Sequence, residues 1–227
     1  MTLVIGHRGS SFDHPENTVA AFRGALAQGS DWVELDVHLA ADGTLAVVHD
    51  ARLPDGRLVA DLGRADLPPE VPTLAEALES SGTMGVNVEI KHGEHEPGFR
   101  PDRAIADAVI AELERVGHPE VLISSFDLGV IDRCQVLAPR IETAYLVLDV
   151  SQPLDALEAA VAGGHRWVHP WDATVTEDTI AAAHSAGLGV NVWTVDDPAR
   201  IRQLADWGVD GVVTNRPAVA LNVLGRH

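Results

Sequence analysis

Cysteine, lysine and long apolar runs are nearly absent from this chain, and each scarcity excludes something. A single cysteine, Cys134, in 227 residues rules out an internal disulfide framework and suits a reducing cytoplasm, the compartment expected here. No apolar run approaches the ~18 residues that a membrane span requires, although 46% of the residues are hydrophobic. Met1-Thr2-Leu3-Val4-Ile5 leads directly into a strand-like segment, without the basic start and cleavage pattern of a secretory signal. Positive charge is scarce as well. The chain carries 16 Lys and Arg against 34 Asp and Glu, a formal net charge of −18. Duplex nucleic acid and anionic membrane surfaces are therefore not expected partners, and no stable membrane association is expected. Lys91 is the only lysine, every other basic residue being arginine. A compact ammonium at one position, where all else is guanidinium, points to a site that needs a point charge. Nothing in the sequence sets an oligomeric state.

What is present is a regular alternation of short β-rich runs and longer helical stretches. Strands are expected at Leu3–Gly6, Trp32–Val37, Gly85–Ile90, Val121–Ser124, Ile141–Val147, Trp167–His169, Leu188–Trp193 and Gly211–Thr214. Helical periodicity follows each, and Gly29, Gly117, Gly187 and Gly208 stand where helix C-caps belong. Eight strand–helix units without a composition break predict an α/β fold, a compact (β/α)8 TIM barrel forming one domain over residues 1–227. A doubly wound open sheet fits less well, because no Gly-x-Gly-x-x-Gly follows the first strand. Asp50 to Pro72, with Pro54, Pro68, Pro69 and Pro72, is expected as a short insertion or lid after the second strand. The His92–Pro101 stretch, with His92, Glu94, His95 and Glu96, matches no common zinc spacing and is expected as a solvated loop at the barrel mouth.

Strand parity turns scattered residues into a site. Val33, Leu35 and Val37 face one way and Glu34 and Asp36 the other; Val86, Val88 and Ile90 oppose Asn87, Glu89 and Lys91. In a barrel the apolar rows pack on helices, so the polar rows point inward near the C-terminal mouth. Two carboxylates ~4 Å apart repel by roughly 4 kcal/mol at an effective dielectric of about 20. Glu34, Asp36 and Glu89 gathered there therefore need a cation, and all-oxygen donors favour Mg2+, Ca2+ or Mn2+. Pairing of each acid with an Arg or Lys is the competing expectation. His7, at the end of the first strand, and His49, just beyond the strand-like Thr44–Val48, are the expected catalytic acid and base. Arg8 and Lys91 are expected on phosphate oxygens, the first by its planar fork and the second by its point charge. Trp193 and Phe126 are expected to wall the pocket. His169, at a strand end before Pro170, is a lesser candidate for the mouth, packing being favoured for it, and His14, His118, His165, His184 and His227 read as surface or packing residues.

His7-Arg8-Gly9, Pro15-Glu16-Asn17-Thr18, Glu34-Leu35-Asp36-Val37, His49-Asp50, Glu89-Ile90-Lys91, Ser125-Phe126 and Trp193-Thr194-Val195 together resemble the glycerophosphodiester phosphodiesterase family. The resemblance runs from His7 to Pro217. It implies a (β/α)8 barrel that hydrolyses small glycerophosphodiesters to glycerol 3-phosphate and an alcohol. It also implies a divalent metal on Glu34, Asp36 and Glu89, acid–base work by His7 and His49, and phosphate contacts from Arg8 and Lys91. Two departures stand out. The family's insertion after His-Asp is abbreviated here and lacks its arginine-threonine-threonine signature, and the family's late Thr-Asp reads Thr214-Asn215. The alternatives are a phospholipase D-like hydrolase of lysophospholipids on the same scaffold, a non-catalytic phosphoester-binding protein, and a barrel isomerase or aldolase.

Overall fold

The computed structural model describes residues 1–148 and 153–226. Eight parallel strands close on themselves: β1 (Leu3–His7), β2 (Trp32–Leu39), β4 (Gly85–Ile90), β5 (Val121–Ser125), β6 (Glu142–Val147), β7 (Trp167–Pro170), β8 (Gly189–Val192) and β9 (Gly211–Thr214). Closure is direct, because β1 pairs with both β9 and β2. Helices α1 (Val19–Gln28), α2 (Leu74–Ser81), α3 (Ala104–Val116), α4 (Leu128–Leu137), α5 (Pro153–Ala162), α6 (Glu177–Ser185), α7 (Pro198–Asp206) and α8 (Pro217–Val223) cover the outside. The expected (β/α)8 barrel is therefore the fold.

Alternation decides what faces where. Val33, Leu35 and Val37 from β2 and Val86, Val88 and Ile90 from β4 sit in one apolar layer with Phe22 of α1, Leu74 and Leu78 of α2, and Val109 of α3. Val168, Val190 and Val212 join Ile180 of α6 and Ile201 and Leu204 of α7 in a second layer. At about 25 cal/mol per Å2, such burial is the main term favouring the fold. The intervening residues of each strand are left to the barrel interior. At its floor Trp32 and Trp167 lie over Gly85 and Gly189, where a Cβ would come within 2.1 and 2.4 Å of the indole rings. The polar interior residues of β1, β2 and β4 gather at the opposite, C-terminal end, where (β/α)8 enzymes carry their sites.

One element departs from the eight expected units. A ninth strand, β3 (Leu45–Val47), runs antiparallel to β2. A turn at 40–44 reverses the chain, closed by Ala40 N–H to Thr44 O at 2.9 Å and Gly43 N–H to Ala40 O at 3.2 Å. This hairpin carries His49 back toward β2, where Val48 N–H donates to Asp36 O at 3.0 Å. The stretch that follows does not hang free. Leu53, Val59, Leu62, Leu67 and Val71 form a small core of their own with Ala40 and Ala46.

The 92–101 segment is the expected solvated loop over most of its length, Glu94, His95, Pro97, Gly98 and Arg100 being exposed, and only His92 departs from it. His92 is buried, with Nδ1 2.6 Å from Asp127 Oδ2, Nε2 2.8 Å from Arg100 O, and its ring 4.7 Å from that of Phe99. It ties the β4–α3 connection to the start of α4 and joins no metal cluster among the described residues. His227 lies outside the described residues.

Candidate active site

β1 ends at His7, and Arg8 and Gly9 then turn the chain sharply toward α1. Arg8 adopts a left-handed φ of 55°, a conformation that costs a non-glycine residue on the order of 1–3 kcal/mol and is usually held by surrounding contacts. Here the contacts are visible. The Arg8 N–H donates to Glu34 Oε2 at 2.9 Å, and its guanidinium makes a two-point contact with Glu16 at 2.9 and 3.0 Å. Gly9 has φ +87°, and a Cβ there would lie 2.6 Å from the Ala21 backbone, so only glycine fits. Asn17, at φ 56°, faces β2: its Nδ2 donates to Asp36 Oδ2 at 2.7 Å and its Oδ1 accepts from Asp36 N–H at 3.3 Å.

Register brings the acids together. His7 pairs with Glu34 across β1 and β2, and Asp36 pairs with Glu89 across β2 and β4. Glu34, Asp36 and Glu89 are 3, 1 and 9% exposed, and one oxygen from each lies within 4.8 Å of the others. The two nearby cations answer only part of that charge. Lys91 Nζ sits 2.8 Å from Glu89 Oε1 and 3.4 Å from Asp36 Oδ1, and Arg8 Nε lies 3.2 Å from Asp36 Oδ2. The competing expectation of acid–base pairing is thus met for Asp36 and Glu89, but three carboxylates face two cations. Glu34 Oε1 and Asp36 Oδ1 remain buried without a hydrogen-bond donor.

The protonation balance carries the same message. Burial, with Asp36 and Glu89 close by, drives the Glu34 carboxyl well above the usual range. Burial and the charge of Asp36 raise Glu89 to about 7. Burial also acts to raise Asp36, but Lys91 and Arg8 overcome it and hold that carboxyl below its ordinary value. Lys91 is pushed upward, because Glu89 and Asp36 outweigh the cost of burying its ammonium. The trio is short of positive charge. Orphaned oxygens and an all-carboxylate donor set fit a hard divalent cation, so the residues present form a possible acidic metal-binding cluster.

Both histidines stand beside this cluster. Burial and the neighbouring Arg8 lower His7 below the usual histidine value. Its Nε2 is 3.9 Å from Glu34 Oε2, while Nδ1 is 2.7 Å from Asn215 Oδ1. His49, on the far side of the hairpin, has Nδ1 2.7 Å from Asp50 Oδ1, and its carbonyl accepts from His38 Nε2 at 2.9 Å. His49 and Lys91 also line an open cleft of about 470 Å3 with Arg52, Leu53 and Glu96. Phe126 follows β5 and Trp193 follows β8; their rings meet edge to face at 5.7 Å, and Trp193 Nε1 donates to His169 O at 2.7 Å. His169 itself does not reach the mouth. It is 1% exposed, bonded at 3.0 Å to the Asn191 side chain. Burial lowers it to about 3.

Sequence reasoning missed Asn17, Ser11, His38, Asp196 and Asn215 as supports of the site. Asn17 lies within Pro15-Glu16-Asn17-Thr18, which by itself gives it no role, and Asn215 reads in sequence only as the loss of a carboxylate.

A parallel (β/α)8 barrel whose mouth combines an acidic trio, two histidines, an arginine and a lysine defines a class: barrel enzymes that act on phosphoesters. The family model for the glycerophosphoryl diester phosphodiesterase family matches residues 7–219, and the chain belongs to that family. Similar proteins include a glycerophosphodiester phosphodiesterase of Bacillus altitudinis, 33% identical with 98% of each chain covered. Another, from Caldanaerobacter subterraneus, is 30% identical over 98% of both. Among solved structures, an Oleispira antarctica phosphodiesterase in complex with the product sn-glycerol-3-phosphate superimposes with a TM-score of 0.90 at 27% identity, covering 99% of this chain and 97% of that one. The chain is accordingly an enzyme of the glycerophosphodiester phosphodiesterase kind.

Proposed function

We propose that this enzyme uses a divalent cation, held by Glu34, Asp36 and Glu89, and the histidine pair His7 and His49 to hydrolyse glycerophosphodiesters to glycerol 3-phosphate and an alcohol. The observation that carries this reading is the charge-deficient acidic trio, with His7 Nε2 3.9 Å from Glu34 and with Arg8 and Lys91 at 3.2 and 3.4 Å from Asp36. The Oleispira relative's bound product supports the same substrate class. When bound, the cation supplies Lewis-acid polarisation at the phosphoryl group.

The chain's own residues do the rest. Arg8 and Lys91 hold the phosphoryl oxygens and offset charge that builds there. One histidine takes a proton from the attacking oxygen as its bond to phosphorus forms, that oxygen being water itself or the glycerol 2-hydroxyl, with water then opening the cyclic phosphate. The other donates a proton to the departing alkoxide as the second P–O bond breaks. Phe126 and Trp193 wall the space for the alcohol. Cys134 takes no part: it is buried, and burial pushes its thiol up to about 12. An unpaired thiol of this kind agrees with the cytoplasmic location we propose.

A second reading is favoured by one observation. Phe126, Leu148 and Trp171, at the ends of the adjacent strands β5, β6 and β7, are 39, 61 and 45% exposed. That apolar arc suits the acyl chain on the glycerol of a lysophospholipid. Leu53, Leu62 and Leu67 of the 50–72 segment add nothing to it, being turned into their own core, and Leu58 is half-buried. No helix among the described residues is long and apolar enough to cross a membrane.

A coupled glycerol 3-phosphate assay on several glycerophosphodiesters, run beside an assay for the head-group alcohol released from a lysophospholipid, tests both readings. Release abolished by EDTA and restored by Mg2+, Ca2+ or Mn2+ is the expected result. Turnover confined to the lysophospholipid would favour the second reading, and binding without product would leave only a phosphoester-binding protein.

A further inference from the structure

His7 has a partner that settles which of its nitrogens carries the proton. Its Nδ1 lies 2.7 Å from Asn215 Oδ1. An amide of this kind is ambiguous alone, because a turned-over side chain would present Nδ2 instead and demand the opposite tautomer. The ambiguity is removed one residue further away. Asp196 accepts three hydrogen bonds: from Asn215 Nδ2 at 2.7 Å, from Asn215 N–H at 2.8 Å and from Thr214 Oγ1 at 2.9 Å. Turning the amide over would set Asn215 Oδ1 against Asp196 Oδ2, two acceptors 2.7 Å apart. The Ser11 hydroxyl, 2.9 Å from Asn215 Oδ1 and 2.8 Å from His7 O, closes the remaining side of the amide oxygen.

From this chain of bonds we infer that Asp196, acting through Asn215, is a positioning residue that locks His7 as the Nδ1–H tautomer and keeps its Nε2 as the lone pair facing Glu34. Asp196 touches neither substrate nor metal ligand in this arrangement. Its carboxylate fixes an amide, and the amide fixes a ring. The partner of the imidazole is a neutral carbonyl, so the network orients His7 without placing an anion against it. The Asp196–Thr214–Asn215 unit joins the loop after β8 to the end of β9, and β9 pairs with β1. Barrel closure is what delivers Asn215 to a histidine 208 residues earlier.

The inference rests on the catalytic role proposed for His7, yet it is tested separately from it. The test is a two-bond 1H–15N spectrum of the full-length protein, labelled at histidine, with Mg2+ present, recorded where the ring is neutral and assigned by loss of the His7 signals in His7→Gln. The expected pattern is a protonated-type shift at Nδ1 and an unprotonated-type shift at Nε2. In Asp196→Asn the amide of Asn215 is free to turn, and the His7 pattern should move toward a mixture of tautomers. In that variant kcat should fall about tenfold or more, with KM within about twofold. An Nε2-protonated His7 in the native protein would overturn the inference, as would Asp196→Asn with native kcat and an unchanged spectrum. If that variant does not fold, the native spectrum alone decides. Absence of glycerol 3-phosphate release by the native enzyme would strike the proposed function and leave the tautomer assignment standing.

Discussion

At the scale of the residue, the site is a local excess of negative charge with two imidazoles beside it. His7→Ala or His49→Ala should each lower kcat by roughly 10²–10⁴, measured with glycerol 3-phosphate release, while Tm stays near the native value. Glu89→Gln keeps the shape but removes one oxygen anion, so Mn2+ affinity of the metal-free protein should fall on the order of 10-fold or more by calorimetry. Retained affinity would place the ion elsewhere. Metal binding by the native protein should also weaken as the pH falls through 7. Glu89, raised to about 7, takes up a proton there that the cation must displace. Much of this set was legible from parity alone: Glu34, Asp36, Glu89 and Lys91 alternate with valines, a leucine and an isoleucine, and two strands suffice to join them. Asn215 was not, because its partner is at the other end of the chain and only barrel closure makes them neighbours. His169, at a strand end before proline, is a lesser candidate for the mouth in sequence, and burial leaves it a packing residue. Its ring instead points inward to Asn191.

The elements explain why such a cluster is tolerated. The β1–α1 turn holds two residues in left-handed conformations, Arg8 and Asn17, and each is anchored to an acid of β2. Gly9 sits between them with no room for a side chain. Gly9→Ala should therefore destabilise the protein by about 1–3 kcal/mol through overpacking and a positive φ, read from urea midpoints, and activity should fall with it. A neutral effect would mean the turn is softer than its contacts imply. The strand–helix order was readable from periodicity, since each strand buries one face under a helix. The β2–β3 hairpin was not read as a pair, because Leu45–Val47 is only three residues long and carries no alternation to set its direction. Its burial comes from the compact 50–72 segment, whose leucines and valines appeared in sequence only as scattered apolar residues.

Across the whole molecule, apolar layers outside the barrel wall carry stability, while the polar interior adds acid sensitivity. His169, lowered to about 3 by burial alone, is neutral in the fold, whereas an unfolded histidine takes up a proton near 6.5. The unfolded state thus binds more protons below that value, and this contribution to stability is lost as the pH falls from about 6.5 toward 3. Glu34 and Glu89 act in the opposite sense: their raised values favour the fold at low pH, and that contribution is lost as the pH rises through them. Comparing His169→Asn with the native protein isolates the histidine, and the variant should lose less Tm between pH 7 and about 4.5. An equal loss in both would remove His169 from the acid response. The central claim remains that the acidic trio serves a cation in diester hydrolysis. Its most direct test is glycerol 3-phosphate release from a glycerophosphodiester by the native enzyme, stripped with EDTA and then given Mg2+, Ca2+ or Mn2+. Activity lost on stripping and regained with a divalent cation is the predicted result; undiminished turnover after stripping, or none with any cation, would contradict it.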